Sequence, residues 1–185
     1  INPMKNLIIA LIILAFSSCG SKTGEDKRTA EQISFVNYIR DIRDKVNAAG
    51  EDKNLRGNLL DQGVADAKLY VKDSLGLKFT KWQAKVIEKK QNLRNPTLTD
   101  LKILIVIDQE NQSAEKSIIL NGSAGDEQLS NALKDVNVGD HIIISGDFIE
   151  KNGFIDIDSY SRYKFSKNVF DNPEFKAIFT AAEKH

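Results

Sequence analysis

The chain has 185 residues, 41% hydrophobic and 28% charged, which suits one globular domain with a substantial core plus an appendage. Lys plus Arg and Asp plus Glu each total 26, so the formal net charge is zero, which argues against a non-specific nucleic-acid binder that exchanges excess positive charge for counterions. A single cysteine excludes an internal disulfide and a thiolate cluster around a structural zinc.

In chain order, Met4 and Lys5 lead into an apolar run from Leu7 to Phe16, followed by Ser17, Ser18 and Cys19. A positive start, a short apolar stretch and small residues before a cut are the pattern of a secretory signal peptide over residues 1–18, with Ile1 to Pro3 read as preceding the true start. The run is too short for a permanent span, which needs roughly 20 apolar residues. The stretch Leu14 to Gly20 resembles the lipobox of bacterial lipoproteins, with Phe16 in place of the usual Leu. That resemblance implies acylation of Cys19 as the mature N-terminus, and acyl chains contribute about 0.8 kcal/mol per buried methylene toward holding a chain on a membrane. Gly20 lacks the Asp that favours retention at the inner membrane in lipoproteins of the enterobacterial kind, which implies the outer membrane. Residues 19–28 are polar and read as a tether.

An N-terminal helical segment is expected over 29–76. Thr29 and Gln32 have capping-box spacing, and Ile33, Val36, Ile39, Ile42 and Val46 recur every three to four residues before Gly50. The opposite face mixes Arg40, Asp41, Asp44 and Lys45, so this helix should pack on its own chain rather than lie on a membrane. A second helix is expected over 58–76, interrupted by Gly63 and ending near Gly76.

The period then changes to two. Leu77 to Lys89 alternates, with Thr80, Trp82, Ala84 and Val86 on one face and Phe79, Lys81, Gln83, Lys85 and Ile87 on the other. Leu101 to Asp108 is an apolar run rich in β-branched residues, and Lys116 to Gly122 makes a third strand. Asp126 then caps a short helix through Leu133. From 136 to 165 two alternating runs flank Asn152 and Gly153, a dipeptide suited to a tight hairpin. Asn172 and Pro173 open a C-terminal helix with Phe175, Ile178 and Phe179 on one side, giving a last segment over 166–185.

The expected class is therefore α+β, mainly β: three strands, a helix and two strands over 77–165, preceded by two helices and followed by one. This order, with Trp82 and Val86 in the first strand and the "VGDHIIISGDF" stretch from Val138 to Phe148, resembles the OB-fold, in particular the transfer-RNA-anticodon-like group. The resemblance implies a five-stranded barrel with a ligand surface across its second and third strands. Phe79, Lys81 and Lys85, with Lys89 and Lys90 nearby, would edge such a surface as binding residues.

Catalytic chemistry is not legible. His141 has Asp140 and Asp147 nearby but no nucleophile, and the two Ser-x-x-Lys matches, at Ser113 and Ser161, lack their companion motifs. Asp156 and Asp158 share a strand face near Asp147 and Glu150 and come nearest to a calcium ligand set, without the spacing of a calcium loop. No catalytic residue, metal site or cofactor is assigned. The expectation is a lipid-anchored envelope module, membrane-bound through Cys19, that binds a protein, peptide or saccharide. The alternatives are a single-stranded nucleic-acid binder, which the charge balance and export signal oppose, and a metal-dependent envelope enzyme.

Overall fold

A computed structural model describes residues 28–107, 116–151, 154–155, 157 and 168–184 of the chain. Cys19, Asp156, Asp158 and the tip of the Asn152–Gly153 hairpin lie outside these residues, as do the signal peptide and tether up to Lys27.

Helix α1 runs Ala30–Ala48 and buries Val36, Ile39, Ile42 and Val46 of the expected stripe together with Phe35, which the spacing did not single out, while Ile33 is only partly buried. Helix α2 runs Lys53–Leu69, earlier than the sequence suggests, because Asp52 caps it by accepting from the N–H groups of Asn54 and Leu55. A π-helical turn over Tyr70–Ser74 continues it. Gly63 lies where the helices meet: a Cβ there would stand 2.5 Å from Ile42 Cγ2. Close approach of the helices therefore requires the residue that weakens α2 as a helix. No helix of the described residues is long and apolar enough to cross a membrane.

Strands β1 (Lys78–Gln91), β2 (Thr99–Val106) and β3 (Ser117–Ala124) follow, then helix α3 (Glu127–Ala132), capped by Asp126, and β4 (His141–Phe148). A two-residue pair, β5 (Glu150–Lys151) and β6 (Phe154–Ile155), forms the hairpin around 152–153. The last strand, β7, is Glu174–Lys184. The chain makes a closed five-stranded barrel in the order β1-β2-β3-β7-β4, with β1 also paired to β4. Every pairing is antiparallel except β3 with β7. The molecule is α+β, as expected.

Alternate residues fill the barrel: Ala84 and Val86 from β1, Leu101, Ile103 and Ile105 from β2, Ile118 and Leu120 from β3, Ile142, Ile144 and Phe148 from β4, and Phe175, Ala177 and Phe179 from β7. Gly122 is required here, since a Cβ would fall 1.8 Å from the Ala177 carbonyl oxygen of the neighbouring strand.

Two expectations are corrected. The C-terminal helix is the strand β7, and this strand, not the segment through Phe165, supplies the fifth stave. Phe175 and Phe179 fit both periods, being four residues apart; Ala177 buried and Ile178 exposed decide for period two. The slot between β3 and β4 overrides the helix preference of Ala181, Ala182, Glu183 and Lys184. The second correction is Phe79, which is 1% exposed inside the barrel rather than outward. The β1–β4 register slips between Phe79 and Trp82, with Lys81 at a φ of 54°, so this bulge puts both aromatic residues on the inner face.

Helices close both barrel ends. At the end where β1 and β7 begin and β4 finishes, α1 inserts Phe35, whose ring centroid is 5.2 Å from Trp82, 5.5 Å from Phe175 and 6.0 Å from Phe148. The first turn of α1 also covers the part of β1 that has no β2 partner. Gln32, fully buried, donates from Nε2 to the Gln83 carbonyl at 2.7 Å and accepts the Gln83 N–H at 2.9 Å. Glu31 accepts the Trp82 indole N–H at 2.8 Å and the Thr80 N–H at 3.3 Å. Only half of the expected capping box forms: Thr29 accepts the Gln32 N–H, while the Gln32 side chain is engaged on β1. At the other end α3 is held by Lys89, whose ammonium donates to the carbonyls of Leu133, Lys134 and Val136 at 2.7, 2.9 and 2.7 Å.

Candidate ligand-binding face

Strand pairing arranges the outward side chains of β1, β2, β3 and β7 in three rows. One row runs Lys85, Leu104, Ile119, Glu174; the next Glu88, Lys102, Asn121, Lys176; the third Lys90, Asp100, Ser123, Ile178. Period two produces this on β2, β3 and β7, whose intervening residues fill the barrel, while on β1 a register shift between Val86 and Glu88 brings Glu88 and Lys90 into line.

Glu174 organises the centre. Its carboxylate meets Lys102 Nζ at 2.9 Å and Lys176 Nζ at 3.1 Å, and accepts from Asn121 Nδ2 at 2.6 Å. Burial pushes its carboxyl up, but the hydrogen bonds from Asn121, Lys102 and Lys176 outweigh that and bring it down to about 2. The side chain of Glu174 is 15% exposed and those of Lys102 and Lys176 are 28% and 27%, so the cluster is half-sheltered but reaches solvent. At the edge, Lys90 pairs with Glu88 at 2.8 Å, and the Glu88 carboxyl is lowered chiefly by that hydrogen bond. Toward the β1–β2 loop, Asp100 accepts from Ser123 Oγ at 2.5 Å and from Asn92 Nδ2 at 2.7 Å.

The face therefore presents fixed charges of both signs and amide groups, and none of its twelve positions is aromatic. It can hold a polar ligand by directed hydrogen bonds. It offers no ring on which a nucleobase could stack. Among the described residues no three His, Cys, Asp or Glu side chains could together hold a metal ion.

The sequence-predicted residues separate. Lys85 is exposed and opens the first row; Lys81 is exposed too, but sits on the β1 bulge with its N–H donated to Ser145 Oγ at 2.9 Å. Phe79 is core. Lys89, expected beside them, caps α3. The residues that build the face, Glu174, Lys102, Asn121 and Lys176, were missed, because Glu174 and Lys176 belong to a segment with helical composition. Period-two reading of Phe175, Ala177 and Phe179 was the signal that could have found them. His141 is exposed at the start of β4. Between β3 and α3, Asp126 caps the helix by accepting the Leu129 N–H at 2.7 Å.

No protein family, curated protein or solved structure matches the chain.

Proposed function

We propose that the chain is a lipid-anchored binding or adaptor module of the bacterial cell envelope, of OB type, that holds a protein, peptide or saccharide ligand without catalysis. The observation that carries this reading is the Glu174 cluster, which joins Lys102 of β2 and Asn121 of β3 to Glu174 and Lys176 of β7 on the outer face, next to the β2–β3 surface used for ligands in the OB architecture. A closed barrel with α3 between β3 and β4 supports the OB assignment, and the anticodon-like group is proposed from the resemblance of Val138 to Phe148. The mixed charges favour a polar ligand over a nucleic-acid strand. Acylation at Cys19, with Gly20 behind it, would supply the membrane attachment, at the outer membrane.

Two measurements test it. Intact mass of the membrane-extracted protein should show an acylated N-terminal cysteine, and Cys19→Ser should release the chain into the soluble fraction; an unmodified Cys19 in the membrane fraction removes the anchor. Screening the folded protein against envelope extract and a glycan array should return a ligand whose binding falls with Asn121→Ala and Lys102→Ala. Salt-dependent binding of single strands with no envelope ligand would instead favour the nucleic-acid reading.

A further inference from the structure

At the α3 end, the β1–β2 loop and α3 enclose a cleft of about 340 Å³ that meets the outward rows only at Lys90. Lys89, Lys90 and Lys134 line it, with no carboxylate and no aromatic ring. Lys89 is tied to three carbonyls, which take its hydrogen bonds without cancelling its charge. Lys90 shares Glu88 as an ion partner, and Lys134 has no ion pair among the described residues. Thr97 and Asn131 add polar groups to the walls.

The loop on one side is held in a single shape by its own side chains. Asn92 Oδ1 accepts the N–H groups of Arg94 and Asn95, Asn95 Oδ1 accepts from Thr97, and Gln91 Nε2 donates to the Pro96 carbonyl at 2.6 Å. This ordered loop nevertheless leaves Leu93 93% exposed, beside the exposed Arg94. A cleft whose charged lining groups are all lysines, bordered by a loop that also exposes an apolar side chain, is complementary to a chain carrying acids and an apolar residue.

We propose that this cleft is a docking site for an acidic peptide segment of a partner protein, with its carboxylates between Lys90 and Lys134 and an apolar side chain against Leu93. The absence of rings from the lining favours a peptide over a nucleic-acid strand. The proposal rests on the reading of the chain as a binding module and adds a second surface and a ligand class.

The test uses the full purified chain and a fluorescent acetyl-Asp-Glu-Leu-Asp-Glu-Leu-amide peptide, followed by anisotropy. Saturable binding that weakens with salt is expected, reduced about tenfold or more by Lys90→Glu with Lys134→Glu, and reduced by Leu93→Ser. Lys45→Glu, on α1 at the other end, should leave it unchanged, and circular dichroism should show all variants folded. Absence of saturation, or indifference to the double charge reversal, overturns the proposal. So does tighter binding of a short oligothymidylate that displaces the peptide. Repeating the titration on Cys19→Ser separates this from the anchor: peptide binding that persists there stands even if acylation fails. An envelope ligand lost on Asn121→Ala, with no peptide binding, leaves the Glu174 face standing and the cleft refuted.

Discussion

The two ends of the barrel are closed by different physics. At the α1 end Phe35 sits among Trp82, Phe148 and Phe175, and Gln32 matches the main chain of Gln83 group for group. At the α3 end a six-residue helix is pinned by one ammonium on three carbonyls, beside an open cleft. Ring burial with a matched buried amide leaves little freedom to rearrange, whereas a cation on a helix end fixes position while leaving polar groups near solvent. The first arrangement serves stability, and the second leaves room for a ligand.

Four experiments would break or sharpen this contrast. Phe35→Ala should cost about 3–5 kcal/mol by leaving a cavity at the aromatic end, read as a lowered denaturation midpoint; a cost under about 1 kcal/mol would mean that α1 is not a plug. Gln32→Ala should cost about 2–3 kcal/mol, because the Gln83 N–H and carbonyl lose their buried partner, and the amides of Thr80 to Gln83 should exchange faster. Lys89→Met should cost about 2 kcal/mol and speed amide exchange at Leu133 and Val136 while leaving the α1 end protected; equal loosening of both ends would deny their independence.

The smallest effect compares the two sides of β7 at the α1 end, where Phe175 points in and Glu174 out. Glu174 titrates at about 2 in the folded protein against an ordinary value of 4.5. A depressed folded value means that its contribution is present in full above about 4.5 and is lost as pH falls toward about 2. Because water partly screens the cluster, that contribution is on the order of 2 kcal/mol. Urea midpoints across that window should fall in the native protein and flatten in Glu174→Gln; an unchanged slope would show that the cluster does not carry this linkage.

Where local pattern and tertiary demand coincide, the sequence was readable. The α1 stripe, the alternation from Trp82 to Val86 and the run from Leu101 follow from burying one face of a helix or strand. Phe79 was misassigned because the bulge that turns it inward is formed against β4, over sixty residues away. The part played by Gln32 was hidden in the same way: beside Thr29 its spacing implies a local cap, yet its side chain is bound by a strand fifty-one residues later. Lys89 reads as one exterior lysine of several until α3 is placed over it. Residues 174–184 failed for another reason, since both periods fit their large side chains. Ala177 between them favours the strand, and the slot between β3 and β4 decides for it.

That late strand also bears on when the molecule can fold. Until Glu174–Lys184 is available, β3 and β4 each keep an unpaired edge, and Phe148 lacks the ring of Phe175 beside it. A growing chain therefore holds nearly all its staves without being able to join them. Closure must wait for the final segment to thread between two strands already made, a non-local step that places such barrels among the slower small folds, on the order of milliseconds to seconds.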